Sequence, residues 1–183
     1  MSNDKIFKND VRILHPYEYK MLYDAVDKRD NRDKMDTMLL TGMRYNEIRW
    51  MYTHKDCFNG KTIHVPSKKV KAVLKERYVR LNNQGIRAVQ NFFATKKNIP
   101  TRISWNENLK RWCKKAGLDD KGISTKTFRK TWESWLATMY TDKVSFVFLS
   151  QGHTNLTSIQ YYLMCPFDEK DKQDMKYYTD GWI

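Results

Sequence analysis

Cysteine, histidine, proline and glycine are all sparse in this 183-residue chain, and no apolar run approaches the ~20 residues of a membrane span. Each shortage excludes something. Cys57, Cys113 and Cys165 are isolated, odd in number and form no Cys-x-x-Cys pair, which argues against a disulfide framework and a structural zinc site. His15, His54, His64 and His153 are equally scattered, so any chemistry here is expected to need no metal and no cofactor. Without a repeat or a low-complexity linker, one domain is the economical reading. The start, MSNDKIFKND, lacks the apolar stretch of a signal peptide. The expectation is a cytoplasmic protein with no membrane partner.

What the chain has in excess is positive charge. Thirty-four Lys and Arg stand against 21 Asp and Glu, a net charge of +13. Such an excess points to a polyanionic partner, and nucleic acid comes before membrane because no basic amphipathic helix of interfacial type stands out. Forty per cent apolar and 14% aromatic residues exclude a disordered chain.

Hydrophobic periodicity predicts a mainly α fold with a small antiparallel β-sheet. After a loose polar arm over residues 1–13, helices are expected from Pro16 with Met21, Leu22, Ala25 and Val26 as an apolar stripe, from about Arg32 to Leu40, and from about Arg44 with Ile48 and Met51 inward. The period then changes. KTIHVP, after an Asn59-Gly60 turn, and KERYVRL read as paired strands around a basic tip with Lys68, Lys69 and Lys71. Helices resume over Ile86–Lys96, then behind a Ser104/Glu107 capping box with Gly117 as the stop. Further helices are expected behind Asp142, behind Thr157 and from about Asp168 to Tyr178.

The most informative stretch is Ser124 to Tyr140. Phe128, Trp132, Trp135, Leu136 and Met139 share one helical face, and Trp105 and Trp112 are core by the same spacing. Lys126, Arg129 and Lys130 share the opposite side, with Glu133 one turn on. Three cations at a helix N-terminal end, where the dipole is already positive, repel one another unless an anion sits among them. Three other segments align with this one in order: TGMRYNE (Thr41 to Glu47), the basic hairpin tip, and GHTNLTSIQYY, which puts His153 after a glycine and Tyr162 nine residues later.

This ordered set resembles the catalytic domain of tyrosine recombinases, the phage-integrase family, from about Leu14 to Tyr162. Thr-Gly-x-Arg-x-x-Glu matches the family's first arginine box, KERYVRL resembles the strand after its hairpin lysine, and Gln151-Gly152-His153 with Tyr162 corresponds to its Leu-Gly-His and tyrosine. The second box is usually His-x-x-Arg-His; here lysine stands at both histidine positions, as Lys126 and Lys130. The ending, with Tyr162-Leu163, Pro166-Phe167 and Gly181-Trp182, looks like archaeal and archaeal-virus integrases. The Lys-x-Phe-Arg pattern also looks like type IB topoisomerases, the alternative reading, and a catalytically silent DNA-binding module is a third.

The resemblance implies attack by Tyr162 on double-stranded DNA, giving a 3′-phosphotyrosyl link without ATP or metal. It implies that Arg44, Arg129 and His153 bind the phosphate, that Lys126 stabilises the transition state, and that Glu47 orients a cation. The general acid is a hairpin lysine; the family position falls near residue 72, an alanine, so Lys71 is the nearest residue, with Lys68, Lys69 and Lys130 as DNA contacts. It also implies self-association as a tetramer on paired sites. Residues 14–183 are expected to form the catalytic domain, with no separate core-binding domain in this chain.

Overall fold

The computed structural model describes residues 5–66, 76–95, 99–153 and 165–183. They form eight helices and two two-stranded antiparallel sheets: β1 Ile6–Lys8, β2 Val11–Ile13, α1 Pro16–Asp24, α2 Arg29–Thr41, α3 Tyr45–Thr53, β3 Thr62–Pro66, β4 Glu76–Arg80, α4 Asn83–Ala94, α5 Arg102–Lys115, α6 Thr125–Met139, α7 Val144–Gln151 and α8 Glu169–Thr179. The expected class, mainly α with small antiparallel sheets, is what the chain adopts.

Helix α6 is the centre of the molecule. Ser124 caps it, its hydroxyl accepting from the Lys126 N–H at 3.2 Å. The helix then packs against α2, α5, α7, α8 and β2. Trp132 and Trp135 are fully buried, and the Trp135 indole N–H donates to the Leu14 carbonyl at 3.0 Å. Burying a side chain of that size contributes on the order of 5 kcal/mol by area. Trp105 is fully buried as well, while Trp112 is partly buried against it.

Two of the sequence signals misplaced an element. The supposed polar arm contains a β-hairpin, Ile6–Ile13, whose Ile6, Val11 and Ile13 enter the core. Its two-residue turn is Asn9-Asp10, both with positive φ (47° and 58°), the conformation that a tight hairpin requires and that Asn and Asp tolerate. The described residues therefore hold two small sheets where one was expected. Helix α5 starts earlier than Ser104: Thr101 is its cap, accepting from the Ser104 N–H at 3.2 Å.

Smaller corrections follow from packing. Met21 faces solvent, and Tyr19 and Leu22 carry the buried stripe of α1 instead. Asp142 does not cap α7; it lies in a 3₁₀ turn, Thr141–Lys143, that leads into it. The pairing of β3 with β4 is as expected, with Ile63 opposite Val79. The hairpin tip between them, and the helix expected behind Thr157, lie outside the described residues.

Candidate active site

The site is assembled from three chain turns. At the end of α2, Gly42 adopts a left-handed conformation (φ 59°), which reverses the chain and makes Arg44 the N-cap residue of α3. At the end of α7, Gly152 does the same (φ 69°) and presents His153. Between them runs the first half of α6, carrying Lys126, Arg129 and Glu133.

Arg129 joins all three. Its Nη1 donates to the Gly42 carbonyl at 3.0 Å and to Gln151 Oε1 at 3.2 Å. Its Nη2 donates to the Gln151 carbonyl at 2.6 Å and lies 3.3 Å from His153 Nε2. Its Nε lies 2.9 Å from Glu133 Oε1. The three cations therefore do not form one solvated face. Lys126 is exposed, but Arg129 turns inward and its side chain is only 11% exposed. Burial lowers its pKa; Glu133 and Glu47 oppose that shift, and Arg44 and Arg77 add to it. A guanidinium remains charged at any working pH despite such a shift.

Arg44 and Glu47 form the second part. The Arg44 N–H donates to Glu47 Oε2 at 2.8 Å, and its Nη1 donates to Oε1 at 3.1 Å. Arg77, on β4, grips the same carboxylate with Nη1 at 2.9 Å and Nη2 at 2.6 Å. Burial pushes this carboxyl up, but the Arg77 hydrogen bonds and charge, with those of Arg44, outweigh it and hold the pKa at about 2. The pair ties the hairpin sheet to α3. Arg44 itself is about half exposed, so its guanidinium faces outward beside the buried Arg129. Arg129 is thus fixed and Arg44 open, and guanidiniums can meet a diester oxyanion with charge-assisted hydrogen bonds.

Residues 12–167 match the phage integrase family. The chain belongs to that family. No curated protein matches it significantly. Among solved structures, the XerA recombinase superposes with a TM-score of 0.68 at 16% identity, covering 98% of this chain and 67% of that one. The Tn1549 transposon integrase, residues 82–397 in complex with circular intermediate DNA, gives 0.67 at 18% identity, covering 96% and 67%. The XerH site-specific recombinase, bound to a palindromic difH substrate after cleavage, gives 0.61 at 19% identity, covering 96% and 54%. At such identities the likeness is one of fold. This phage integrase family member thus spans about two thirds of the first two chains and 54% of the third.

Of the residues singled out from the sequence, the structure brings together Arg44, Glu47, Arg129 and His153, with Lys126 exposed on the first turn of α6. Lys130 is used differently. It donates to the Lys8 carbonyl at 2.6 Å and holds α6 to the N-terminal hairpin; burial lowers its pKa, with Lys8 adding to the effect. Lys68, Lys69, Lys71 and Tyr162 lie outside the described residues.

Three participants escaped the sequence reading. Arg77 was seen only as part of a basic strand. Glu133 was noted only by its position on the helix. Gln151 stands where the family box has leucine, and its buried amide accepts from Arg129 while its Nε2 donates to the Thr41 carbonyl at 3.2 Å. A polar side chain at a position of apolar type was the signal available for Gln151. A cleft of about 790 Å³ between α1, α2, α4 and α8 is lined by none of these residues.

Among the described residues, no group of three or more His, Cys, Asp and Glu is placed to hold a metal ion, and no helix is long and apolar enough to cross a membrane.

Proposed function

We propose that this chain is the catalytic part of a site-specific DNA recombinase, which cleaves and rejoins double-stranded DNA through a 3′-phosphotyrosyl intermediate. The observation that carries the reading is the Arg129 side chain, which joins the Arg44 turn to the His153 turn across more than a hundred residues of sequence. The similarity in fold to an integrase and a recombinase solved with DNA, and the chain's charge of +13, support the same reading.

In this mechanism the scissile phosphodiester sits against Arg44 and Arg129. Attack by the Tyr162 oxygen on phosphorus forms the tyrosyl ester and breaks the bond to the 5′-oxygen; the phenol proton passes to solvent, and the 5′-oxygen takes a proton as it leaves as a hydroxyl. Charge builds on the non-bridging oxygens during attack, where the guanidiniums and His153 stabilise it. The energy of the broken bond is kept in the new ester, so rejoining is the same step in reverse. Lys71 supplies the proton to the leaving oxygen, and Lys126 stabilises the transition state by its charge. Lys68 and Lys69 contribute to DNA binding. Self-association as a tetramer on paired DNA sites would bring four such centres together.

A pool of nicked suicide duplexes of randomised sequence tests this directly. The expected outcome is a covalent protein–DNA adduct on a denaturing gel, abolished by Tyr162→Phe and retained by Tyr161→Phe. The reverse pattern would assign the nucleophile to Tyr161. Absence of any adduct with the wild-type chain would refute the recombinase reading, and relaxation of supercoils without strand exchange would favour a topoisomerase.

A further inference from the structure

Glu133 lies one helical turn beyond Arg129, and its side chain is only 3% exposed. A carboxylate removed from water is stable only with donors around it. Its Oε1 lies 2.9 Å from Arg129 Nε, an ion pair with the guanidinium, and stands 2.7 Å from His153 Nε2. These are the two phosphate-binding residues that α6 and the turn after α7 supply.

One hydrogen follows from that distance. An ionised carboxylate oxygen can only accept, so the proton between it and the imidazole is carried on His153 Nε2. A protonated Nε2 cannot accept from Arg129 Nη2, 3.3 Å away. The other Nη2 hydrogen already goes to the Gln151 carbonyl. With Nη1 given to Gly42 and Gln151, one Nη2 hydrogen of Arg129 is left for an incoming oxygen. Among the described residues, the charges that act on or feel Glu133 include Arg129, Lys8 and Lys130, with His153 a titratable group at contact.

We propose that Glu133 is a positioning residue for this site: its carboxylate pairs with the Arg129 guanidinium and its Oε1 holds His153 by Nε2, fixing the guanidinium's place and the imidazole's tautomer before DNA arrives. The proposal rests on the recombinase reading for its consequence in catalysis, but its structural content stands apart from that reading.

The test compares Glu133→Gln, which keeps an acceptor oxygen, with Glu133→Leu, which keeps bulk and removes it. Long-range ¹H–¹⁵N spectra of the full, DNA-free chain report the His153 tautomer and the Arg129 Nε–H. The wild type and E133Q are expected to show hydrogen on His153 Nε2 and a protected Arg129 Nε–H. E133L should lose the tautomer preference and exchange the Arg129 Nε–H about tenfold faster or more, as the loss of a buried ion-pair partner implies. On the same nicked duplexes, E133L should slow single-turnover adduct formation about 10²-fold at unchanged DNA affinity, and E133Q should recover most of that loss. Wild-type spectra from E133L overturn the proposal, as does a wild-type adduct rate in E133L, or loss of both signals in E133Q. If the wild type forms no adduct, the recombinase reading fails, while the spectra still decide whether Glu133 holds the pair.

Discussion

Replacing Gly42 by alanine is expected to destabilise the protein by about 3 kcal/mol and to disable the site with it. Two effects combine. The first is backbone: φ is 59°, where a Cβ costs roughly 1–2 kcal/mol, offset by about 0.4–1 kcal/mol because alanine restricts the unfolded chain. The second is space. A Cβ at residue 42 would lie 2.5 Å from Gln151 Oε1 and 2.8 Å from Trp132 Cδ1, and both side chains are fully or almost fully buried. Neither can yield freely, so overpacking adds about 1–3 kcal/mol. Gly117 separates the two: its φ is 71°, but a Cβ there meets nothing within 4 Å. Gly117→Ala should therefore show the backbone part alone, about 1 kcal/mol or less. Urea unfolding of both variants gives the difference, expected near 2 kcal/mol. Moving Gln151 also removes an Arg129 acceptor, so Gly42→Ala should lose adduct formation while Gly117→Ala keeps it. Equal destabilisation by the two substitutions would refute the argument that the Gly42 turn is packed to contact.

Two further outcomes concern carboxylates. The Glu47 carboxyl is held at about 2 against an ordinary value of 4.5, so its stabilisation is present above pH 4.5 and is lost as pH falls toward 2. Glu47→Gln should cost on the order of 3 kcal/mol at pH 7 and much less near pH 2, measured by denaturant titration at each pH. Asp36 behaves oppositely. Burial raises it from 3.8 to about 6 despite the hydrogen bonds from Tyr19 and Tyr23, so the folded chain holds a proton that the unfolded chain has released, and stability declines as pH rises through that window. Asp36→Asn should raise the melting temperature at pH 7 and leave it nearly unchanged at pH 4.

Much of this site could be read from the chain because its parts are local. Gly42 ending α2 and Gly152 ending α7 were visible as breaks after apolar-periodic runs, and each places the motif residue that follows. The same locality explains the misses. The Ile6–Ile13 hairpin has only three residues per strand, and its Asn9-Asp10 turn lacks the glycine that usually marks such a turn. Met21 met the helical period but falls on the open side of α1, because Tyr19 and Leu22 occupy the face toward α6 and α8.

By itself the sequence determined the mainly helical fold, the aromatic face of α6, and the order of the boxes bearing Arg44, Arg129 and His153. These are properties of spacing, and spacing is set by helix geometry. Only the tertiary structure decided which charges meet. It made Arg129 a buried junction, paired Glu47 of α3 with Arg77 of β4, gave Lys130 to the Lys8 carbonyl, and set Glu133 between Arg129 and His153. The reason is physical: a buried charge must find its partner in space, and that partner comes from whichever element folding brings alongside.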